Sequence, residues 1–130
     1  MENYGDIRFV SGENEVEGFN KLKLYLVNSD NEIIYTFPEF YGNILTYLDE
    51  VDTVSFQDLN NDGLKDIIII AYYIVSNGKE LPMAGVYFQK DMDFINSKEL
   101  DTEINLANNI SIDAIEEFIS GTNLSNYGLK

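Results

Sequence analysis

The chain is 130 residues long, with 23 acidic side chains against 8 basic ones and a formal charge of -15. A field of that sign repels phosphate backbones and anionic lipid, which argues against nucleic-acid and peripheral membrane roles and favours divalent cations and basic surfaces. Hydrophobic residues make up 45% of the chain, enough for the core of one domain, while histidine and cysteine are absent, which removes the commonest general base, the commonest zinc ligand and any disulfide.

No apolar run approaches the roughly 18 residues of a membrane span. The start, Met1-Glu2-Asn3-Tyr4-Gly5-Asp6, has neither a basic n-region nor an apolar h-region, so no signal peptide is expected in this chain. Residues 6–10 read as a short first strand and 13–20 as a polar, glycine-containing loop. Leu22, Leu24 and Leu26 alternate along 21–27, the period of a half-buried strand. The turn formers Asn28-Ser29-Asp30-Asn31 lead into a second β-rich stretch, 32–37, so that 21–37 is predicted as a hairpin ended by Pro38. Phe40, Ile44, Leu45 and Leu48 suggest a short helix within 39–49.

A strand is expected over 51–57. The run 66–75 is apolar at nearly every position, as in a strand covered on both faces and lying centrally in its sheet. Asn77-Gly78 opens a loop running through Pro82, and 83–89 form the next strand, with a turn at 90–93. Ser97 and Ser111 are placed to cap helices over 98–106 and 112–120, the second stopped by Gly121. The last residues are expected to fray. The sum is an α+β domain over 1–122, an antiparallel sheet of about five to seven strands with C-terminal helices on one face, followed by a tail at 123–130.

The chemistry concentrates in Asp58-Leu59-Asn60-Asn61-Asp62-Gly63-Leu64-Lys65-Asp66. Counted from Asp58, oxygen-bearing side chains stand at positions 1, 3, 5 and 9 (Asp58, Asn60, Asp62, Asp66), and Gly63 stands at position 6. Calcium takes six to eight oxygen ligands, and a tight loop supplies them from alternate residues. Glycine lets the backbone turn so that the carbonyl of Leu64 can face the ion. Two carboxylates about 5 Å apart repel by roughly 3 kcal/mol at an effective dielectric near 20, so a cation would relax such a loop. The plainer alternative is an Asx-rich turn in which these residues serve backbone geometry alone. An EF-hand is excluded, because its bidentate glutamate would fall on Ile69, inside the most β-like stretch.

The wider string from Phe56 to Ile68 resembles the calcium loops of FG-GAP and VCBS repeats, carried on β-hairpins in integrin α-subunit propellers and many bacterial surface proteins. The resemblance implies Ca2+ held by the side chains of Asp58, Asn60, Asp62 and Asp66 and by the Leu64 carbonyl. It covers about one tenth of the chain, and the single copy does not carry the propeller fold with it. More loosely, the chain looks like single-module secreted or lipoprotein domains of low-GC Gram-positive bacteria.

Other candidates are weaker. Glu13, Glu15, Glu17 and Gly18 imitate the spacing, but Lys21 occupies the ninth position. Tyr72, Tyr73, Tyr87 and Phe88 fit core positions better than a glycan platform, whereas Phe40, Tyr41 and Tyr47 make the more exposed aromatic group. Glu116-Glu117, or Asp49 with Asp52, lack any partner suggesting acid–base catalysis, so no enzyme is expected. The leading expectation is a monomeric, non-catalytic calcium-binding interaction module, extracytoplasmic rather than cytoplasmic, with a basic protein or a surface glycan as further partner. The alternative is an acidic cytoplasmic protein that inhibits a basic partner, in the manner of an immunity protein, with calcium incidental. A metal-assisted hydrolase comes last.

Overall fold

A computed structural model describes residues 7–16, 19–45, 48–91, 93–107 and 110–129. Among these residues seven strands form two antiparallel sheets. In the first, β1 (Ile7–Val16), β2 (Phe19–Asn28) and β3 (Ile33–Thr36) follow one another as a meander. The second has the order β4 (Leu48–Gln57), β5 (Asp66–Ile74), β6 (Glu80–Lys90) and β7 (Asp93–Ile95). Helices α1 (Lys98–Leu106) and α2 (Ile112–Ser120) follow, together with single 3-10 turns at Tyr41–Ile44 and Leu124–Tyr127. Among the described residues no helix is long and apolar enough to cross a membrane.

The apolar run of β5 explains the layering. Ile67, Ile69, Ala71 and Tyr73 point into a core shared with Leu22, Leu24 and Leu26 of β2, while Ile68 and Ile70 point into a second core with α1 and α2. β5 also lies between β4 and β6, so the expectation of a central strand covered on both faces holds. The α+β class holds as well, but the expected single sheet is two. The leucine stripe of β2 marks one buried face without saying that the cover is another sheet. Tyr35 of β3 fastens the two, its hydroxyl donating to Asp93 Oδ1 (2.8 Å) and accepting from the Phe94 backbone N–H (3.0 Å).

Several boundaries differ from the sequence reading. The expected loop at 13–20 is largely strand: Glu13 pairs with Leu22 and Val16 with Phe19, extending the β1–β2 hairpin, while 17 and 18 lie outside the described residues. Polar residues tolerate strand geometry there because the hairpin is held by backbone pairing. The helix expected within 39–49 is only the turn Tyr41–Ile44, and Leu48 already belongs to β4. Pro82 sits inside β6 opposite Tyr72 instead of in a loop. Among the described residues β6 has no strand neighbour along this part of its outer edge, so a residue without an N–H is tolerated. Ser97 and Ser111 cap as expected, accepting from Leu100 and Ala114 backbone N–H groups. The tail expected to fray instead packs, as far as residue 129, with Leu124 and Leu129 buried in the second core.

That outer edge of β6 is finished by side chains of α1. Asn105 accepts from the Ala84 N–H and donates to the Ala84 carbonyl, both at 2.9 Å, and Asp101 accepts from the Val86 N–H at 3.2 Å. The helix thereby satisfies backbone groups that would otherwise be buried and unpaired.

Phe40, expected to be exposed, is 1% exposed. Its ring lies over Gly85, where an added Cβ would come within 2.6 Å of Phe40 Cε1, and beside Gly42, where one would come within 2.6 Å of both Phe40 and Tyr73 ring carbons. Gly85→Ala is therefore expected to cost about 1–3 kcal/mol by overpacking, although alanine normally suits a strand better than glycine. Urea denaturation measures it, and an unchanged midpoint would show that the ring moves aside freely.

Candidate functional site

The loop 58–65 closes the β4–β5 hairpin, whose last pair is Gln57 with Asp66. Two left-handed residues shape it, Asn61 at φ 60° and Gly63 at φ 84°. Asparagine and glycine are the residues that accept this conformation at least cost, and open space surrounds Gly63. The sequence placed Gly63 correctly as the bend, while the similar role of Asn61 went unread.

Three of the expected ligands meet as carboxylates. One oxygen each from Asp58, Asp62 and Asp66 can be chosen so that all lie within 4.8 Å of one another. Asn60 joins them, one terminal atom of its carboxamide standing 3.2 Å from Asp58 Oδ1 and 3.0 and 3.3 Å from the two oxygens of Asp62. With nitrogen turned inward, the amide donates to both neighbours and holds the loop by itself. With oxygen turned inward, it adds a fourth acceptor to the ring. Half a turn of one side chain interconverts a hydrogen-bonded loop and an all-oxygen cage. The backbone of Leu64 follows Gly63 in the same loop, its N–H donating to Asp62 Oδ1 at 2.9 Å.

The carboxylates are not equivalent. Asp58 is exposed and accepts from the backbone N–H groups of Asp62 (3.2 Å) and Gly63 (2.9 Å). Burial alone would raise its pKa, but those N–H groups, with Asn60 and Asn61, outweigh that and hold it below its ordinary value. Asp66 is fully buried at the start of β5. Its Oδ2 accepts from Leu59 N–H at 2.8 Å and its Oδ1 from Gln89 N–H at 2.9 Å, tying both the loop and β6 to one side chain. Burial pushes its pKa up to about 6 against the pull of those two N–H groups, and the charges of Asp62 and Asp58 add to the rise. The Gln89 link was invisible in the sequence, because it depends on β5–β6 register.

The donor set suits a hard cation. Every candidate group is oxygen, arranged in a tight loop between two strands, and thiolate and imidazole ligands are absent from the chain. The backbone bonds to Asp58 and Asp62 are also what an Asx-rich turn makes, so turn geometry and ion coordination share these residues.

The remaining candidates separate. Glu13 and Glu15 belong to β1, while their side chains and Glu17 and Gly18 lie outside the description, as does Tyr47. Lys21 donates to the Asn43 carbonyl at 2.5 Å. Asp52 accepts from Thr53 (2.7 Å), and the partners of Asp49 are instead Glu50 and Glu80, with oxygens within 4.8 Å of one another. The Asp49 charge, then slight burial, a hydrogen bond with Asp49 and the Glu50 charge raise the Glu80 pKa. Glu80 reaches Asp49 from β6, the strand on the other side of β5, so nothing local in the sequence announced the group. Tyr73, Tyr87 and Phe88 are core, and Tyr72 is half-buried. Glu117 is exposed on α2 and Glu116 half-buried.

The chain matches no protein-family model, no curated protein and no solved structure.

Proposed function

We propose that this chain is a calcium-binding, non-catalytic interaction module in which Ca2+ staples the β4–β5 hairpin. The observation that carries the reading is the meeting of Asp58, Asp62 and Asp66 oxygens within 4.8 Å, with the Asn60 carboxamide among them. Asp58, Asn60, Asp62 and Asp66 bind through side chains and Leu64 through its carbonyl. Water completes the shell. Because Asp66 also holds Gln89, the ion tightens β6 as well as the loop. An extracytoplasmic setting, where calcium is plentiful, suits a structural ion better than a sensor.

At about 1 mM calcium and a dissociation constant of about 10 µM, binding stabilises the fold by roughly 2.7 kcal/mol. Melting in calcium is thus expected to exceed melting in EDTA by several degrees. Titration calorimetry in chelator-treated buffer supplies the direct measurement. No heat at millimolar calcium, with a melting temperature indifferent to EDTA, discards the reading.

One observation favours a second reading, an acidic protein that covers a basic partner. Asp49, Glu50 and Glu80 crowd one another, while Ile74 and Leu81 nearby in the sheet are 37% and 44% exposed. A basic surface would relieve the carboxylates and cover the apolar pair. Under this reading calcium is incidental, and a calcium-blind loop together with recovery of one tight basic partner would favour it. Hydrolysis receives less support, since Asp58 and Asp62 are exposed and Asp66 alone among the loop carboxylates is buried.

A further inference from the structure

A cleft of about 380 Å³ lies apart from the loop, lined by Glu39, Phe40, Tyr41, Asn43, Asn96 and Lys98. It opens between the 3-10 turn that leads to β4 and the first residue of α1. The size falls in the range of small-molecule sites.

Its polar groups divide into two kinds. Asn43 is buried and committed inward, accepting from Leu22 N–H (2.9 Å) and Tyr73 hydroxyl (2.8 Å) and donating to the Leu22 carbonyl (2.8 Å) and Glu39 Oε1 (2.7 Å). It forms a rigid floor. The others have capacity to spare. The Lys98 ammonium and the Tyr41 hydroxyl have no partner among the described residues, and Asn96 engages only its amide nitrogen, with Asp101 at 3.5 Å. Glu39 accepts from Asn43 at Oε1 and pairs with Lys23 through Oε2 at 3.4 Å, and its 60% exposed side chain leaves each oxygen a further lone pair.

One wall therefore carries a cation at the positive end of a helix, and another carries a carboxylate. A free anion would suit Lys98 but meets the field of a chain with charge -15. A simple cation would leave Lys98 unmatched. A molecule holding both charges answers each wall and carries no net charge for the field to repel.

We propose that this cleft binds a small zwitterion, an amino acid or short peptide with both a free carboxylate and a free ammonium group. The carboxylate accepts from Lys98 and the Tyr41 hydroxyl, and the ammonium donates to Glu39 and the Asn96 carbonyl oxygen. This site does not depend on the calcium reading.

Titration of the 15N-labelled chain with L-phenylalanine and with glycyl-L-phenylalanine tests it, alongside N-acetyl-phenylalanine and phenylalanine amide, which each keep one charge. Saturable shifts at the amides of Tyr41, Asn96 and Lys98 are expected with the two zwitterions, and the tighter of them names the source. Lys98→Gln and Glu39→Gln should each weaken binding about tenfold, the loss of one charge-assisted contact, with the remaining spectrum unchanged. Absence of saturable shifts up to about 10 mM overturns the site. Equal binding of the singly charged probes, or indifference to both substitutions, overturns the recognition.

Discussion

Asp66→Ala is expected to destabilise the protein by about 5–9 kcal/mol in about 1 mM calcium, and by much less in EDTA. Two losses add in calcium. The backbone N–H groups of Leu59 and Gln89 lose their acceptor in a fully buried position, at about 1–3 kcal/mol each. The ion's contribution of roughly 2.7 kcal/mol goes with them. In EDTA that second part is absent, and removing a carboxylate disfavoured by burial and by Asp62 and Asp58 offsets part of the first. Asp62→Ala supplies the contrast, since Asp62 is exposed and among the described residues accepts only from the Leu64 N–H and the inward-turned Asn60 amide. It should cost little in EDTA and show its main effect in calcium. Urea denaturation of both variants under both conditions decides the matter. An Asp66→Ala cost that is the same with and without calcium would detach Asp66 from the ion and leave it a purely structural acceptor.

The meeting of the loop carboxylates was legible because a nine-residue turn is a local object. The spacing of Asp58, Asn60, Asp62 and Asp66, and the bend at Gly63, lie within one stretch of chain, and neighbours in sequence become neighbours in space. The run beginning at Ile67 was legible for a related reason, since side chains alternate across a strand and apolar residues on both sides demand two covers. What covers them was not legible. Leu22, Leu24 and Leu26 announce one buried face, but only the assembled fold shows that it meets β5 from another sheet. Phe40 misled because it stands between Glu39 and Tyr41 in a stretch without strand alternation, yet the two glycines that admit its ring, Gly42 and Gly85, come from different parts of the chain. Asp49 meeting Glu80, and Asp66 reaching Gln89, likewise require strand register. The sequence carries local periodicity and spacing well. It carries pairings between distant segments poorly, because many registers satisfy the same apolar pattern.

Asp101→Asn is expected to stabilise the protein above neutral pH, by as much as about 4 kcal/mol, and to leave it unchanged near pH 4. Asp101 is 1% exposed on α1, accepting from Val86 N–H at 3.2 Å. Burial pushes its pKa up to about 7 from an ordinary 3.8, against the pull of the Val86 N–H and the Asn96 amide. Tyr87, on the adjoining strand β6, is raised first by its own burial and then by the Asp101 charge, so it stays a neutral phenol beside the carboxylate. Between about pH 4 and 7 the folded chain thus binds more protons at this site than the unfolded chain, and stability falls as pH rises through that window. Below it both states are protonated and the contribution is fully present, whereas above it the penalty is complete. Asparagine keeps an oxygen for the Val86 N–H and cannot ionise, so its curve should lack this fall. Asp66 shifts in the same direction but is present in both proteins, so the difference between their urea midpoints across pH isolates Asp101. Parallel curves from pH 4 to 8 would show that Asp101 reaches water when it ionises, and that the α1 cover over the β6 edge opens more easily than its burial implies.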